Sequence, residues 1–245
     1  MASLTLVIPA YNEARRLPAT LRTVAAFIPS GPYDPVEVIV VDDGSTDGTA
    51  ECAAELADIV ELPAAKFRVL RNGRNRGKGH SVRRGMREAR HEWVLFSDAD
   101  LSAPLEDIEL LKQAVEAGPF DIAIGSRGLD RSLIGERQPP YREFAGRVFN
   151  RNVRLLLGLN FADTQCGFKL FSREAARQVA EKQRIERFGF DVEQLYIARE
   201  LGLSVAEVPV RWNNAEGSSV GALEGMGAFL DVWTVMINGL IGRYR

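Results

Sequence analysis

The chain has only two cysteines among 245 residues, Cys52 and Cys166, and they lie far apart, outside any CxxC or Cys/His spacing. This scarcity excludes a disulfide-dense secreted scaffold and argues against a zinc module. A long apolar run is also lacking, because the most hydrophobic late stretch, Met226 to Gly242, is broken by Asp231, Asn238 and three glycines. A bilayer-spanning helix needs about 20 mostly apolar residues, so we expect this stretch to lie on a surface or in a core.

No sign of charge dominates either, since 31 Lys and Arg face 33 Asp and Glu and the formal net charge is -2. This balance gives no overall attraction to nucleic acid, so we expect any anion site to come from a local cluster. The first residues lack the basic and apolar regions of a signal peptide, which predicts a cytoplasmic protein. With 46% apolar residues, a chain of this length forms one core without disulfides or a structural metal.

Short β-branched runs alternate with helical patterns, which is typical of an α/β fold with a mostly parallel sheet flanked by helices. The predicted strands are Leu4–Ile8, Val36–Val41, Phe67–Arg71, Trp93–Ser97, Asp121–Gly125 and Ser204–Val210. The predicted helices are Glu13–Ile28, Thr46–Ala57, Gly79–Arg90, Leu105–Ala117, Arg142–Leu157, Arg173–Gln183 and Asp191–Leu201. Asn12 and Ser45 are plausible N-caps, and the stretch from Asp163 to Lys169 is predicted as turns.

Polar residues follow the first two strands, and ligands of such sheets bind beyond the carboxyl ends of the strands. The first set is Pro9, Ala10, Tyr11, Asn12 and Glu13. After the second strand, the tandem carboxylates Asp42 and Asp43 repel each other unless a donor shares them, which suggests hydrogen bonds to a base or ribose. The alternative is that Asp43, Gly44 and Ser45 form a turn before a capped helix.

The segment after the third strand, Arg71 to Gly79, is glycine-rich, basic and followed by a helix. Backbone N–H groups at the helix start, around Gly77, together with Lys78, could receive phosphate. The segment does not have the order of a Walker loop. The later arginines, up to Arg90, form either a solvated helix face or a contact for lipid phosphates.

The fourth strand leads directly into Asp98, Ala99 and Asp100. Two carboxylates separated by one residue can converge on one hard cation, and Mg²⁺ or Mn²⁺ bridges such groups to a diphosphate. A capping role is the alternative. The position at a strand end, in line with the other polar strand ends, favours a metal site at Asp98 and Asp100.

At these strand ends the sequence resembles glycosyltransferase family 2, the inverting nucleotide-sugar transferases with the GT-A fold. The matching motifs are Val7 to Glu13, Val41 to Asp47, Asn75 to Gly79, Asp98 to Asp100 and Gly125 to Arg127. The second half resembles the dolichyl- and polyprenyl-phosphate β-glucosyltransferases, through Asp163 to Phe171, Phe190 to Glu193, Val208 to Trp212 and Gly217-Ser218. The polyprenyl-phosphate mannosyltransferases often carry a Gln where this chain has Ser102, a departure that favours the glucosyl branch.

The resemblance implies that Pro9 to Glu13 and Asp43 hold a nucleoside, expected to be uridine, while Asp98 and Asp100 hold the metal and diphosphate. Arg127 would face phosphate and count among the catalytic residues, with Asp98, Asp100 and Asp191. The acceptor and sugar would be bound by Arg127, Asp163, Gln165, Asp191 and Trp212. If the acceptor were a hydroxyl, Asp163 or Asp191 would be the base. Cys166 is expected to be a small buried residue rather than a nucleophile, since no His lies near it in sequence.

The expected function is therefore glucosyl transfer from UDP-glucose to a polyprenyl phosphate, with Mg²⁺ or Mn²⁺. Alternatives are another sugar such as mannose, a hydroxyl acceptor, a non-catalytic nucleotide-sugar-binding protein and a nucleotidyltransferase, although Pro9 to Glu13 is not the phosphate loop of the last. The expected domain is 1–215, with a nucleotide-sugar half to about 128 and an acceptor half from 129. The remainder, 216–245, is expected to be an amphipathic helical appendage that touches the cytoplasmic face of a membrane, or packs on its own domain or a second subunit.

Overall fold

The computed structural model describes residues 1–59, 65–135, 140–213 and 222–245. The strands are β1 Ala2–Ala10, β2 Tyr33–Asp42, β3 Ala65–Arg71, β4 Trp93–Ser97, β5 Ile122–Ser126, β6 Phe168–Ser172 and β7 Val205–Pro209. The helices are α1 Leu17–Phe27, α2 Thr49–Ile59, α3 Lys78–Glu88, α4 Ile108–Ala117, α5 Pro140–Leu157, α6 Arg173–Lys182, α7 Phe190–Glu200 and α8 Ala222–Leu240. Gly217 and Ser218, and the domain boundary expected near 215, lie outside the described residues.

The seven strands form one sheet in the order β3-β2-β1-β4-β6-β5-β7. β1 pairs in parallel with β2 and β4, β2 with β3, and β5 with β7, whereas β6 runs antiparallel to both β4 and β5. The predicted mostly parallel sheet with flanking helices is confirmed. The carboxyl ends of β1 to β5 and β7 therefore lie along one edge, the carboxyl edge, together with the beginning of β6.

Strand β6 is absent from the sequence prediction, which assigned Asp163 to Lys169 to turns. Phe168 pairs with Ser97 and Lys169 with Phe96, so the strand begins inside that predicted turn region. Turn residues precede the strand, and its pairing with β4 is a long-range contact that local patterns do not report. Because β6 is antiparallel, the segment before it reaches the carboxyl edge.

The two predicted N-caps are wrong. Helix α1 begins at Leu17, not at Glu13, and Arg16 occupies its N-cap position. Asn12 has a positive φ of 54°, in a loop rather than beside a helix. Helix α2 begins at Thr49, beyond Ser45. The physical reason is that the side chains of Asn12 and Ser45 form hydrogen bonds between two loops, as described below, instead of accepting from the first turn of a helix.

Two apolar clusters lie on opposite faces of the sheet, as the alternation of side chains along a strand requires. Val7 and Ile39 belong to the cluster that includes α3 and α5 to α8, while Leu4 and Leu6 belong to the cluster that includes α1 and α4. Most helical stability in proteins comes from packing such a face. Among the described residues, no helix has the length and apolar character that crossing a membrane requires.

Helix α8 is half buried and half exposed. Val232 and Val235 are buried in the same cluster as the sheet residues, and the Phe229 ring packs edge-on against Phe149 of α5 at 5.2 Å between centroids. On the other side, Leu230 and Trp233 expose 70% and 51% of their surface. The helix thus packs on its own domain and still presents an apolar side to solvent.

Candidate active site

Two loops at the carboxyl edge are tied together by the residues predicted as caps. The Asn12 N–H donates to Ser45 Oγ at 2.9 Å, and the Thr46 N–H donates to Asn12 Oδ1 at 3.1 Å. The Glu13 N–H donates to Thr49 Oγ1 at 2.8 Å. These reciprocal bonds hold the segment after β1 against the segment after β2, with the Tyr11 ring exposed at their side.

Pro9 and Ala10 end β1 inside the core, and Asp42 ends β2 with no exposed surface. The Ser45 N–H donates to Asp42 Oδ1 at 3.2 Å, and Arg71 Nε lies 3.5 Å from Asp42 Oδ2. The expectation that Asp42 contacts a nucleoside is not supported, because a fully buried side chain offers a ligand no surface. Its carboxylate shapes the turn after β2 instead.

Asp43 is the centre of the glycine-rich loop, which we define as 72–77. Its carboxylate accepts from Asn72 Nδ2 at 2.7 Å, from the Arg76 N–H at 3.1 and 3.2 Å and from the Gly77 N–H at 2.7 Å. Gly77 has φ of 109°, which a side chain rarely adopts. Asp43 therefore fixes the loop in place, a structural task that its position after β2 did not reveal.

The backbone N–H groups at the start of α3 do not form an open phosphate cradle. The Gly79 N–H donates to Arg187 O at 3.2 Å and the His80 N–H to Glu186 O at 2.9 Å. Since the Gly77 N–H is also used, by Asp43, the expected phosphate contacts at these N–H groups are not available. The cation next to them, Lys78, is the group that remains for an anion.

Lys78 points its charge at the carboxylate pair after β4. Lys78 Nζ lies 2.7 Å from Asp98 Oδ1 and 5.5 Å from the centre of the Phe96 ring. Burial works against the cation, but the carboxylates of Asp98 and Asp191 raise the pKa of Lys78. The lysine therefore stays charged at neutral pH.

The residues after β4 fit a divalent cation that is shared with a diphosphate. Apart from the Lys78 ammonium at 2.7 Å, the buried Asp98 Oδ1 has no donor among the described residues, and its carboxylate packs against Gly167, where a Cβ would overlap it. Burial raises the pKa of Glu13 above its usual range; Arg16 opposes that rise, and the charges of Asp100, Asp47 and Asp98 add to it. Carboxylates that crowd in this way favour a cation between them.

No group of three or more His, Cys, Asp or Glu side chains within the described ranges could hold a metal ion by itself. Asp98 and Asp100, which flank the buried Ala99, are only two carboxylates, and Asp100 Oδ1 already accepts from the Ser102 N–H at 2.9 Å. Mg²⁺ is commonly bound through one or two carboxylates plus substrate phosphates. The donor set fits that mode.

A buried ion pair lies beneath this site. Lys169 is fully buried on β6; its Nζ donates to Asp191 Oδ1 and, at 2.9 Å, to Cys166 O. Burial raises the pKa of Asp191, while Lys169 and Lys78 oppose that rise. Asp191 is the second residue of α7, and it is connected to the site by its bond to Lys169 and by the nearby charge of Lys78.

On the other side of β6, Arg127 is held by a carboxylate and an aromatic ring. Its Nε and Nη2 donate to Asp163 at 2.5 and 2.9 Å, and its guanidinium lies 4.8 Å from the Trp212 ring centre. Burial opposes ionisation of Asp163, but Arg127 keeps the pKa of this carboxyl below its usual range. The Gln165 N–H also donates to Asp163, at 3.1 Å. Because the Asp163 carboxylate is bound to Arg127 and its pKa is lowered, it is unsuited to accept a proton from an acceptor hydroxyl. This removes one of the two residues predicted as a general base.

Cys166 is inert, as predicted. It is fully buried, and burial raises the pKa of its thiol to about 12. A thiol that stays protonated is a poor nucleophile.

Sequence reasoning assigned no role to three groups that organise the site, although two of them lie within the motifs of the family resemblance. These are Lys169, Glu207 and Glu193, of which Glu207 accepts from the Ala162 and Asp163 N–H groups at 2.9 and 2.8 Å. A lysine within the apolar run of β6 was a usable signal, because a charge inside a buried strand requires a partner. Local sequence gives no comparable signal for the two glutamates, since their partners are backbone groups of distant loops.

The chain is similar to known proteins over most of its length. The model of the family described as "Glycosyl transferase family 2" matches residues 5–180. The chain is 39% identical to dolichyl-phosphate beta-glucosyltransferase of Drosophila melanogaster, over 99% of this chain and 77% of that protein. It is 37% identical to the Homo sapiens protein of the same name, over 89% of this chain and 69% of that protein.

Solved structures show the fold. Mannosyl-3-phosphoglycerate synthase from Rubrobacter xylanophilus superposes with a TM-score of 0.70 at 18% identity, covering 98% of this chain and 74% of that one. Glucosyl-3-phosphoglycerate synthase from Mycobacterium tuberculosis, solved with Mn²⁺ and UDP-glucose, gives a TM-score of 0.62 at 20% identity, with 94% and 79% covered. At these identities the likeness establishes the arrangement of sheet and helices and no more.

Proposed function

This chain belongs to glycosyl transferase family 2, and from that premise we propose that it transfers glucose from UDP-glucose to a polyprenyl phosphate, with inversion at the anomeric carbon. The observation that carries the proposal is the carboxyl edge, where the Lys78 ammonium lies 2.7 Å from Asp98, the Asp98 carboxylate packs against Gly167, and Asp100 follows two residues later. The names of the relatives at 37–39% identity support the sugar and the acceptor.

In this proposal the donor lies along the ends of β1 to β4. The exposed Tyr11 and Asn12 and the backbone from Pro9 to Glu13 contact the nucleoside, and Asp43 keeps the glycine-rich loop beside it. Lys78 faces the diphosphate. Its charge stabilises the leaving group when the anomeric bond breaks, which is the stage at which negative charge develops.

Asp98 and Asp100 would hold the Mg²⁺ or Mn²⁺. When bound, the metal neutralises the diphosphate and so makes it a better leaving group. The solved structure from Mycobacterium tuberculosis that contains Mn²⁺ and UDP-glucose supports a divalent metal, without choosing between the two ions.

The acceptor half is proposed to begin near 129 and to use Arg127, Gln165 and Trp212 at its border with the donor half. Arg127 is a cation already oriented by Asp163 and Trp212, so it can receive an anionic group without reorganising. A phosphate monoester is largely ionised near neutral pH, because its second pKa is about 6. Such an acceptor needs no general base.

A hydroxyl acceptor is the second candidate, because Asp191 is the predicted base that remains and burial raises the pKa of its carboxyl, although Lys169 and Lys78 oppose that rise. The variant Asp191→Asn distinguishes a phosphate acceptor from a hydroxyl acceptor. Asn Oδ1 still accepts from Lys169, so the ion-pair site keeps a hydrogen bond. With a phosphate acceptor we expect kcat to fall by less than about tenfold; with a hydroxyl acceptor the loss of a base costs about 10² to 10⁴.

The measurement is the rate of UDP release from UDP-glucose in the presence of a polyprenyl phosphate. The rate is followed from about pH 5 to about pH 9. GDP-mannose in place of UDP-glucose is the control for the donor. Release from GDP-mannose alone, or a loss above about a hundredfold in Asp191→Asn, would contradict the proposal.

We propose further that the protein meets its lipid acceptor through an exposed apolar face on α5 and α8. We define this face as Phe144, Val148 and Leu155 of α5 with Leu230, Trp233, Ile237, Leu240 and Ile241 of α8 and its following turn. Helical spacing places these side chains opposite the buried ones of the same helices. The exposed Arg147 and Arg151 lie among them on α5. Apolar side chains flanked by arginines are typical of an element that lies on an anionic bilayer surface.

Substituting Trp233→Glu or Ile237→Glu is expected to abolish most binding to vesicles of phosphatidylcholine and phosphatidylglycerol. Each large apolar side chain contributes about 1.5–3 kcal/mol on burial, and a carboxylate adds repulsion. Co-sedimentation measures the bound fraction. Leu110→Glu is the matched control, because Leu110 is an exposed apolar residue of α4, on the opposite side of the sheet. Equal binding of all three variants would contradict the docking face.

A cytoplasmic location at the membrane surface is part of the same proposal. Both cysteines are free thiols, which suits a reducing compartment. Residues 216–245 are proposed to act as the membrane-facing part of the chain, and a homo-oligomer is compatible with the same exposed face.

A further inference from the structure

The loop between α6 and α7, residues 183–189, closes over the start of α3. The Gly79 N–H donates to Arg187 O at 3.2 Å, the His80 N–H to Glu186 O at 2.9 Å, and Gln183 Nε2 to Gly79 O at 2.8 Å. A Cβ at Gly77 or Gly79 would overlap backbone atoms of this loop. The loop therefore caps α3 with its carbonyl groups.

Glu193 of α7 fixes this loop from below. Its carboxylate accepts from the Arg184 N–H at 3.0 Å and from the Ile185 N–H at 2.8 Å. The side chain is fully buried, and no ion pair to it is found in the described part of the chain. A buried carboxylate that is stabilised only by hydrogen bonds holds its donors firmly in place. Each bond that is lost leaves negative charge buried without a partner, which costs free energy.

The turn after α8 completes the arrangement. Tyr244 is fully buried, its OH donates to Glu193 Oε1 at 2.7 Å, and Asn238 Nδ2 donates to that OH at 3.1 Å. The Tyr244 ring packs edge-on against Tyr196 at 5.7 Å between centroids. The turn that follows the proposed membrane-facing helix is thus bonded to the residue that fixes the α6–α7 loop.

The same end of α3 carries the donor groups of the proposed site. The Gly77 N–H donates to Asp43, and Lys78 lies against Asp98. A displacement of the α6–α7 loop releases the Gly79 and His80 N–H groups, so the first turn of α3 loses its cap and Lys78 loses its fixed position. Helix ends without such partners fray readily.

We propose that Glu193 is a positioning residue for the nucleotide, which acts with Tyr244 through the α6–α7 loop to hold Gly77 and Lys78 in their binding geometry. Neither Glu193 nor Tyr244 touches the substrate. This inference rests on the proposed function only for the identity of the nucleotide, UDP.

The test compares Tyr244→Phe and Glu193→Gln with the unchanged protein. Tyr33→Phe is the matched control, since it removes a buried phenol OH that has no hydrogen-bond partner among the described residues. Calorimetry with UDP and Mn²⁺ gives the Kd, and hydrogen exchange reports the Gly79 and His80 amides. We expect both Glu193 and Tyr244 variants to bind UDP about five to ten times more weakly, with faster exchange at those two amides, and Tyr33→Phe to match the unchanged protein.

Steady-state kinetics separates positioning from general destabilisation. The KM for UDP-glucose is expected to rise in both variants while kcat stays within about twofold, because the groups at the reacting bond are intact. An unchanged Kd with unchanged amide exchange in Tyr244→Phe and Glu193→Gln would overturn the inference. If the unchanged protein fails to bind UDP, the proposed function fails instead, and exchange at Gly79 and His80 still decides whether Glu193 and Tyr244 hold the loop.

Discussion

Asp98→Asn is expected to lower kcat about a thousandfold or more, with glucosyl transfer from UDP-glucose as the measured reaction. Asp98 has a buried carboxylate oxygen whose cationic contact among the described residues is Lys78, and its carboxylate packs against Gly167, where a Cβ would overlap it. A metal that neutralises a leaving diphosphate lowers the activation free energy by several kcal/mol. Each 1.4 kcal/mol, roughly, changes the rate by a factor of ten. Asparagine keeps the size of the side chain and removes the charge that the metal needs.

The control for this variant is Asp130→Asn. Asp130 is an exposed carboxylate that caps a short turn through Ser132, outside the site. Its replacement is expected to leave turnover unchanged, and Asp98→Asn is expected to keep the melting temperature of the unchanged protein within a few degrees. Turnover by Asp98→Asn that equals the unchanged protein and resists EDTA would exclude the metal site.

Lys169→Met is expected to have the largest effect on stability, about 3 kcal/mol of the free energy of unfolding. Lys169 is fully buried and donates to Asp191 and to Cys166 O, so its loss leaves the Asp191 carboxylate buried with its main partner gone. Breaking a buried pair by removing one partner costs about 3–5 kcal/mol, and nearby Lys78 places this site at the lower end. Urea denaturation measures the difference.

Two further variants test the electrostatic reason. Lys169→Met with Asp191→Leu removes both charges, so it should recover much of the loss in stability, although not activity. Arg177→Met breaks an exposed ion-pair cluster with Glu174 and Glu181 on α6 and is expected to cost less than about 1 kcal/mol. Equal costs for Lys169→Met and Arg177→Met would show that burial of the pair does not matter.

The sequence was a good guide to the parallel part of the sheet. Strands such as β1 and β4 are β-branched, apolar and followed by polar residues, so both their existence and their site-facing ends were predictable. For the same reason Asp98, Asp100 and Lys78 could be named before any geometry was known. Resemblance to a family added Arg127, Asp163, Asp191 and Trp212, which the structure gathers around β6.

What escaped prediction depends on partners that are distant in sequence. Strand β6 pairs with β4 more than 70 positions away, so its local pattern resembled a turn region. Asn12 and Ser45 have the side chains of helix caps but bond to each other's loops. Glu193 looked like part of a family motif, and only the tertiary structure connects it to Tyr244 and the α6–α7 loop.

Glucosyl transfer to a lipid phosphate is tested most directly by incubating the protein with labelled UDP-glucose, Mg²⁺ or Mn²⁺ and a polyprenyl phosphate, and then counting the label in the organic phase. We expect label to enter the organic phase only with metal, to be released by mild acid, and to be absent with Asp98→Asn. If the label stays aqueous while UDP accumulates, the acceptor is a hydroxyl or water, and the lipid-phosphate proposal is contradicted.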